Sequence, residues 1–192
     1  MVQTLLIGQH PQLRLTLRTV LVAAAVYALS LLAEWHAVTQ GMADGDAARK
    51  LAIFVVVGMG FFYAVIRAGL TLRLSDPSMT LPQMVFAIVA IAIAYHINPL
   101  VRGALPMLAG LVILFGAFTL RPRQCIALGW FAVAVFGATI GFGAWRQPMV
   151  FNPLIESHHM TFVIAVFTTM SYLTARLSRL RASWKKQNRD LK

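Results

Sequence analysis

The sequence predicts an all-α integral membrane protein: a bundle of six transmembrane helices with a C-terminal cytoplasmic coiled-coil stalk. Two observations of composition carry this. Of the 192 residues, 59% are apolar and only 12% charged, with a mean hydropathy of +0.73. A soluble domain keeps its apolar share nearer half. The third observation is the pattern. The apolar residues gather into six runs, most of them near the roughly 20 residues of helix that cross a hydrocarbon core about 30 Å thick. Backbone groups in lipid must be satisfied internally, so such runs mean helices. They are too long, and lack the alternation, for barrel strands.

The runs follow in order: Leu17 to Trp35, Leu51 to Leu70, Pro82 to Ile97, Ala104 to Leu120, Ile126 to Trp145, and Met160 to about Leu177. Breaker signals separate them: GMADGD, LSDPS, NPLVRG, RPRQ and RQPMVFNP. The third run is short, which suits a tilted or partly re-entrant span. Residues 1–175 form the membrane bundle and residues 176–192 begin the cytoplasmic helix.

The formal charge of +11 invites a nucleic-acid partner. That reading fails, because the basic residues sit at run ends and in the tail rather than on one soluble face. The single cysteine, Cys125, allows no intrachain disulfide and no thiolate metal site by itself. The N-terminal stretch MVQTLLIGQHPQLRLTLR lacks the basic start and small-residue cleavage site of a signal peptide.

Charge also orients the bundle. With the N-terminus in the cytoplasm, thirteen basic residues fall inside: Arg14, Arg18, Arg67, Arg73, Arg121, Arg123 and seven from Arg176 onward. Four fall outside, at Arg49, Lys50, Arg102 and Arg146. The positive-inside rule therefore predicts both termini in the cytoplasm. Within the fifth run, Gly137 and Gly141 stand at GxxxG spacing, which predicts close helix packing there.

The sixth run continues as SYLTARLSRLRASWKKQNRDLK, with no glycine or proline. Leu173, Leu177, Leu180, Trp184, Gln187 and Leu191 recur at alternating spacings of four and three, a heptad seam. Arg176, Arg179, Arg181, Lys185 and Lys186 lie between them and suit anionic inner-leaflet lipid. A basic anchor explains the charges. The in-phase seam predicts more: a homodimer through this helix, leading to an effector domain in cis.

The loop RLSDPSMTLPQM at residues 73 to 84 stands before the third run, and LFGAFTLRPRQ follows the fourth. With six spans and a helical exit, these resemble the MASE-type membrane sensor regions that precede the GGDEF domain of bacterial diguanylate cyclases. The distinctive residues are Asp76, Pro77, Ser78, Thr80, Leu81, Pro82 and Gln83. The resemblance implies a dimeric sensor whose stalk controls whether two catalytic domains meet over two GTP molecules and make cyclic di-GMP. No GGDEF sequence occurs in this chain, so the chain itself is expected to be no enzyme. The loop also has local chemistry: Thr80 can cap the third helix with Pro82 in its first turn, and Ser75 and Asp76 begin a turn at Pro77.

Four of the five histidines fall near the outer boundary: His36 in AEWHAV, His96 in AYHINP, and His158 with His159 in ESHHMTF. Only His10 lies inside. Glu34, Trp35, Tyr95, Arg102, Trp145, Arg146 and Glu156 share the outer depth. Three readings stand. Such side chains anchor at the headgroup level. His36, His96, His158 and His159 can ligate haem or a copper or zinc ion, with Glu34 or Glu156 as a further metal ligand or supporting partner. The same groups can form an organic-ligand or proton-sensing pocket, with Arg102 and Arg146 toward an anionic or quinone-like headgroup. Adjacent His158 and His159 diverge by about 100° on a helix, so one at most is a principal ligand. Glu156 is expected just before the helix, with Ser157 as its cap.

No Ser/His/Asp set, P-loop or HExxH pattern is present. The span middles are aliphatic or Phe and Gly, which opposes an ion or proton transporter. The expected function is a sensory input domain acting through the outer ends of helices one, three and six. The alternatives are a haem-binding membrane electron-transfer protein and a plain anchor.

Overall fold

The computed structural model describes residues 11–72, 74 and 76–190. His10, Arg73, Ser75, Leu191 and Lys192, and the side chains of Arg14, Arg18, Lys185, Lys186 and Arg189, lie outside the described residues. Among the described residues the secondary structure is helical, with no strand. The α-helices are α1 (Pro11–Thr39), α2 (Gly45–Arg67), α3 (Thr80–Ile97), α4 (Leu105–Phe115), α5 (Pro122–Arg146) and α6 (Pro153–Asp190). Short 3-10 turns at Arg102–Ala104 and Gly116–Phe118 flank α4.

Five of these helices are long and apolar enough to cross a membrane: α1, α2, α3, α5 and α6. The fourth expected span is the shorter apolar stretch Arg102–Phe118. Its ends tighten into 3-10 turns, and at most about 25 Å of α-helix fits its 17 residues, short of a hydrocarbon core of about 30 Å. The other helices run past their apolar cores, because polar and basic ends still keep helical hydrogen bonds.

The chain divides into two compact units, residues 1–83 and 84–192. In the first, α1 packs against α2. The chain leaves α1 through Gly41 at φ +70°, with Gly41 N donating to Val38 O at 3.0 Å and Met42 N to Ala37 O at 2.9 Å. These paired bonds close a helix C-terminus through a left-handed residue that glycine adopts without strain. Asp44 then caps α2, accepting from Asp46 N at 3.1 Å. Ala48, Leu51, Val55, Met59, Phe62 and Ile66 form the buried stripe of α2.

The loop before α3 is tied by Asp76. Its carboxylate accepts from Ser78 N at 3.0 Å and from Thr80 N at 2.7 Å, and Gln83 Nε2 donates to Ser78 O at 2.7 Å. Asp76, not Thr80, therefore supplies the cap of α3. Thr80 is already in the helix, and the turn reaches it through Met79 at φ +50°.

In the second unit α5 and α6 pack along their length, joined by residues 147–152 as an αα-hairpin, and α4 lies against α6. The buried face of α5 is Cys125, Leu128, Gly129, Ala132, Phe136, Ile140 and Gly143. A Cβ at Gly129 would stand 2.4 Å from Ser171 Cβ, and one at Gly143 would stand 2.5 Å from the Phe151 ring. Close approach is thus made at Gly129 and Gly143. A Cβ at Gly137 would stand 3.2 Å from Met160 Cε, and one at Gly141 would have nothing of the rest of the fold within 4 Å. Of the GxxxG pair, Gly137 therefore packs closely on α6, while Gly141 is exposed.

The α6 helix is continuous over 38 residues, about 57 Å at 1.5 Å per residue. Its inner face places Val163, Phe167, Ser171, Thr174 and Ser178 in the core, and Ser178 Oγ donates to Leu120 O at 2.6 Å. Leu173, Leu177, Leu180 and Trp184 lie exposed.

Candidate functional site

The local chain signals at one end of the second unit explain its geometry. Asn98 closes α3, its backbone N–H and its side-chain amide both donating to Ala94 O. Pro99 follows and stops the helix. The turn that results carries Arg102 back under the helix end. Asn152 and Pro153 open α6 as cap and first helical residue, with Leu154 N donating to Asn152 Oδ1 at 2.9 Å. Glu156 therefore lies in the first turn of α6, pointing inward. Two expectations are corrected here. Glu156 is inside the helix, and Ser157 is not its cap: Ser157 Oγ donates back to Leu154 O at 2.7 Å.

Arg102 and Glu156 form a buried ion pair. Arg102 Nη1 stands 3.1 Å from Glu156 Oε1, with side-chain exposures of 5% and 3%. That contact is an ion pair off the hydrogen-bond axis, since Nη1 has no aligned acceptor. The rest of the guanidinium is well placed. Nε donates to Pro99 O at 3.2 Å, and Nη2 donates to Val150 O at 2.8 Å. One face lies 4.0 Å over the Phe151 ring. This contact is a cation–π cover, strongest where water is excluded. Phe151 reaches it by nesting on Gly143, which has no side chain in the way.

Tyr95 completes the cluster. Its hydroxyl donates to Glu156 Oε2 at 2.5 Å and lies 2.8 Å from His159 Nδ1. His159 Nδ1 is itself 3.5 Å from Glu156 Oε2. Glu156 thus meets a guanidinium on one oxygen and a phenol on the other, which is what a buried carboxylate needs. The Tyr95 ring stands edge-on to His159 at 6.0 Å and to Phe136 at 5.6 Å, and Phe136 stands edge-on to Phe167 at 5.3 Å. A packed aromatic line leads from the polar cluster into the core between α3, α5 and α6.

Among the expected site residues, Arg102, Glu156 and His159 meet in this one network. His96 is adjacent but separate, stacked on Phe151 at 5.2 Å and tilted beside Phe142 at 5.9 Å. His158 faces outward, its Nδ1 2.7 Å from Leu154 O. Arg146 is exposed over Trp145, 5.1 Å from its ring. Glu34 and His36 belong to α1 in the first unit, where His36 is exposed. Among the described residues, no group of three or more His, Cys, Asp or Glu is arranged to hold a metal ion.

The sequence placed Tyr95 at the outer depth without giving it a role of its own, and it did not single out Phe151. A tyrosine at a span end reads as an ordinary interfacial residue. The cue for Phe151 was the small residue Gly143, eight positions earlier, which makes its seat. Comparison with known protein families, with characterised proteins and with solved structures finds no match to the chain.

Proposed function

We propose that this chain is the membrane-embedded sensory input module of a dimeric signalling protein, and that the Tyr95–Glu156–Arg102–His159 network is its sensing site. The observation that carries the reading is the position of the network. Glu156 and His159 occupy the first two turns of α6, and α6 runs unbroken from there to Asp190. A helix of about 57 Å exceeds a hydrocarbon core by some 27 Å, so one end must leave the membrane. A change in the buried pair would move the start of the same rod whose far end carries Leu177, Leu180 and Trp184.

The topology proposed with it has six membrane segments, counting the shorter Arg102–Phe118, and both termini in the cytoplasm. The excess of basic residues at the proposed inner ends supports this orientation. The exposed leucine seam supports a homodimer through α6. The resemblance to MASE-type regions supports an effector in cis, with a diguanylate cyclase as the specific expectation. A plain anchor gives no account of a buried ion pair, whose desolvation is costly and which lipid anchoring does not need.

The test is interchain disulfide formation in native membranes, on a Cys125→Ser background. Single cysteines at 173, 177 and 180 are expected to crosslink, and cysteines at 176 and 179 are not. Glu156→Gln is expected to change the crosslinking rates at 177 and 180. No crosslinking at any of the three seam positions would reject the dimer. Crosslinking indifferent to Glu156→Gln would reject the coupling.

A further inference from the structure

The hairpin between α5 and α6 has two faces with different surroundings. Its inner face holds the ion pair: Val150 O accepts from Arg102 Nη2 at 2.8 Å, and the Phe151 ring covers the guanidinium at 4.0 Å. Its other face is open and apolar. Met149 is 96% exposed, and Trp145 and Leu154, at the two flanking helix ends, are 74% and 70% exposed. Ile155, next in the chain, is exposed as well. A turn that faces water is built from polar residues, so large apolar side chains gathered on one mark a contact surface.

The flanking helices say what covers it. Both α5 and α6 are long and apolar enough to cross a membrane, so residues 147–152, which join them, are held at a bilayer surface. The turn also has few groups that ask for water. Gln147 N donates to Gly143 O at 2.8 Å, and Val150 N and Phe151 N donate to Gln147 O at 3.0 and 2.9 Å. Pro148 and Pro153 have no N–H. Non-helical backbone with its donors used can approach the hydrocarbon boundary at low cost. One charge stands beside it. Arg146 ends α5, exposed, with its guanidinium 5.1 Å from the Trp145 ring and 5.8 Å from the Phe142 ring. Residues 84–192 hold two acidic side chains: Glu156, buried against Arg102, and Asp190, at the other end of α6. Among the described residues no carboxylate pairs with Arg146. A cation over aromatic rings, next to an apolar rim, complements a lipid phosphate above its acyl chains.

We propose that the α5–α6 hairpin is a lipid-surface contact, in which Trp145, Met149 and Leu154 lie at the boundary of headgroups and chains and Arg146 pairs with the phosphate of an anionic phospholipid. Through the same hairpin the contact reaches the buried pair. The turn is closed by its own hydrogen bonds at Gln147 O, and Phe151 is seated on Gly143, where a Cβ would stand 2.5 Å from the ring. A shift of the exposed face therefore moves Val150 O and the Phe151 ring, two of the contacts that hold Arg102. This deepens the sensory reading above, on which it rests, by naming the lipid composition of the membrane surface as the input.

The test places a bimane fluorophore at Met149→Cys, on a Cys125→Ser background, in the full chain in nanodiscs of mixed phosphatidylcholine and phosphatidylglycerol. Each lipid in turn carries bromine near the top of its acyl chains, and quenching reports which lipid sits beside the hairpin. Both brominated lipids are expected to quench, with phosphatidylglycerol favoured about fivefold, the worth of one arginine at a charged surface. Arg146→Gln is expected to abolish the preference, and Arg146→Lys to keep it. No quenching by either lipid overturns the proposal and would place the hairpin in water or against another protein. Quenching without preference in the parent overturns it too, as does a preference unchanged in Arg146→Gln. Spin labels at position 180 in the same nanodiscs read the relay. Their distances are expected to differ between pure phosphatidylcholine and the mixture in the parent, and not in Arg146→Gln. Distances that respond to Glu156→Gln but never to lipid overturn the hairpin as input and leave the sensor. The expected quenching, with distances indifferent to both lipid and Glu156→Gln, overturns the sensor and leaves the lipid contact.

Discussion

Glu156 illustrates how a charged residue survives inside an apolar chain. One carboxylate oxygen faces the Arg102 guanidinium at 3.1 Å and the other takes the Tyr95 hydroxyl at 2.5 Å. Removing either partner leaves a buried group unmatched, and that mismatch costs more than the pair is worth intact. Glu156→Gln is therefore expected to lower stability by about 3–5 kcal/mol, since Arg102 is left buried without its counter-charge. Tyr95→Phe removes one hydrogen bond and is expected to cost about 1–3 kcal/mol. Equilibrium unfolding in detergent checks both. The charged members were legible in the sequence, because Arg102, Glu156 and His159 stand out in an apolar chain. Their meeting was not legible, since Arg102 and Glu156 are far apart along it and nothing local pairs them. His158 and His159 read alike as letters. Only the true start of α6 at Pro153, signalled by the Asn152–Pro153 pair, decides that Glu156 and His159 face inward together.

Among the elements, α5 and α6 are held by two small-residue seats. Gly129 admits Ser171, and Gly143 admits Phe151. Gly129→Val is expected to force the helices apart and cost about 1–3 kcal/mol by overpacking, whereas Gly141→Ala is expected to change stability by under about 0.5 kcal/mol. Thermal denaturation of the two variants side by side decides between these seats and the GxxxG pair that the spacing suggested. Helix existence was readable from apolar runs, because lipid leaves a chain few alternatives. Helix ends were harder. Runs of apolar letters stop where polarity begins, but Asp76 and Asn152 cap helices that start in polar sequence. The fourth run was read as a full span. Its two 3-10 ends, beside Gly103 and Gly116, shorten it.

For the molecule as a whole, one helix, α6, carries the ionic pair at its start and the exposed leucine seam far along its length. Orientation, six membrane segments and dimerisation are expectations that follow from charge and from the seam. Cysteine labelling from one side of sealed vesicles checks the first: Asp44→Cys and Pro148→Cys are expected to react from the outer side, and Arg123→Cys and Asn188→Cys from the inner side. The heptad spacing of the tail was legible as a periodic pattern, and α6 stays helical to Asp190. What the seam docks against is not written in a single chain. The most direct measurement of the central claim is the interchain distance between spin labels at Leu180→Cys, on a Cys125→Ser background in nanodiscs, with and without Glu156→Gln. The account predicts a resolved short distance in the parent and a shifted or broadened distribution in the variant. Identical distributions, in a variant whose helix content is unchanged, would contradict it.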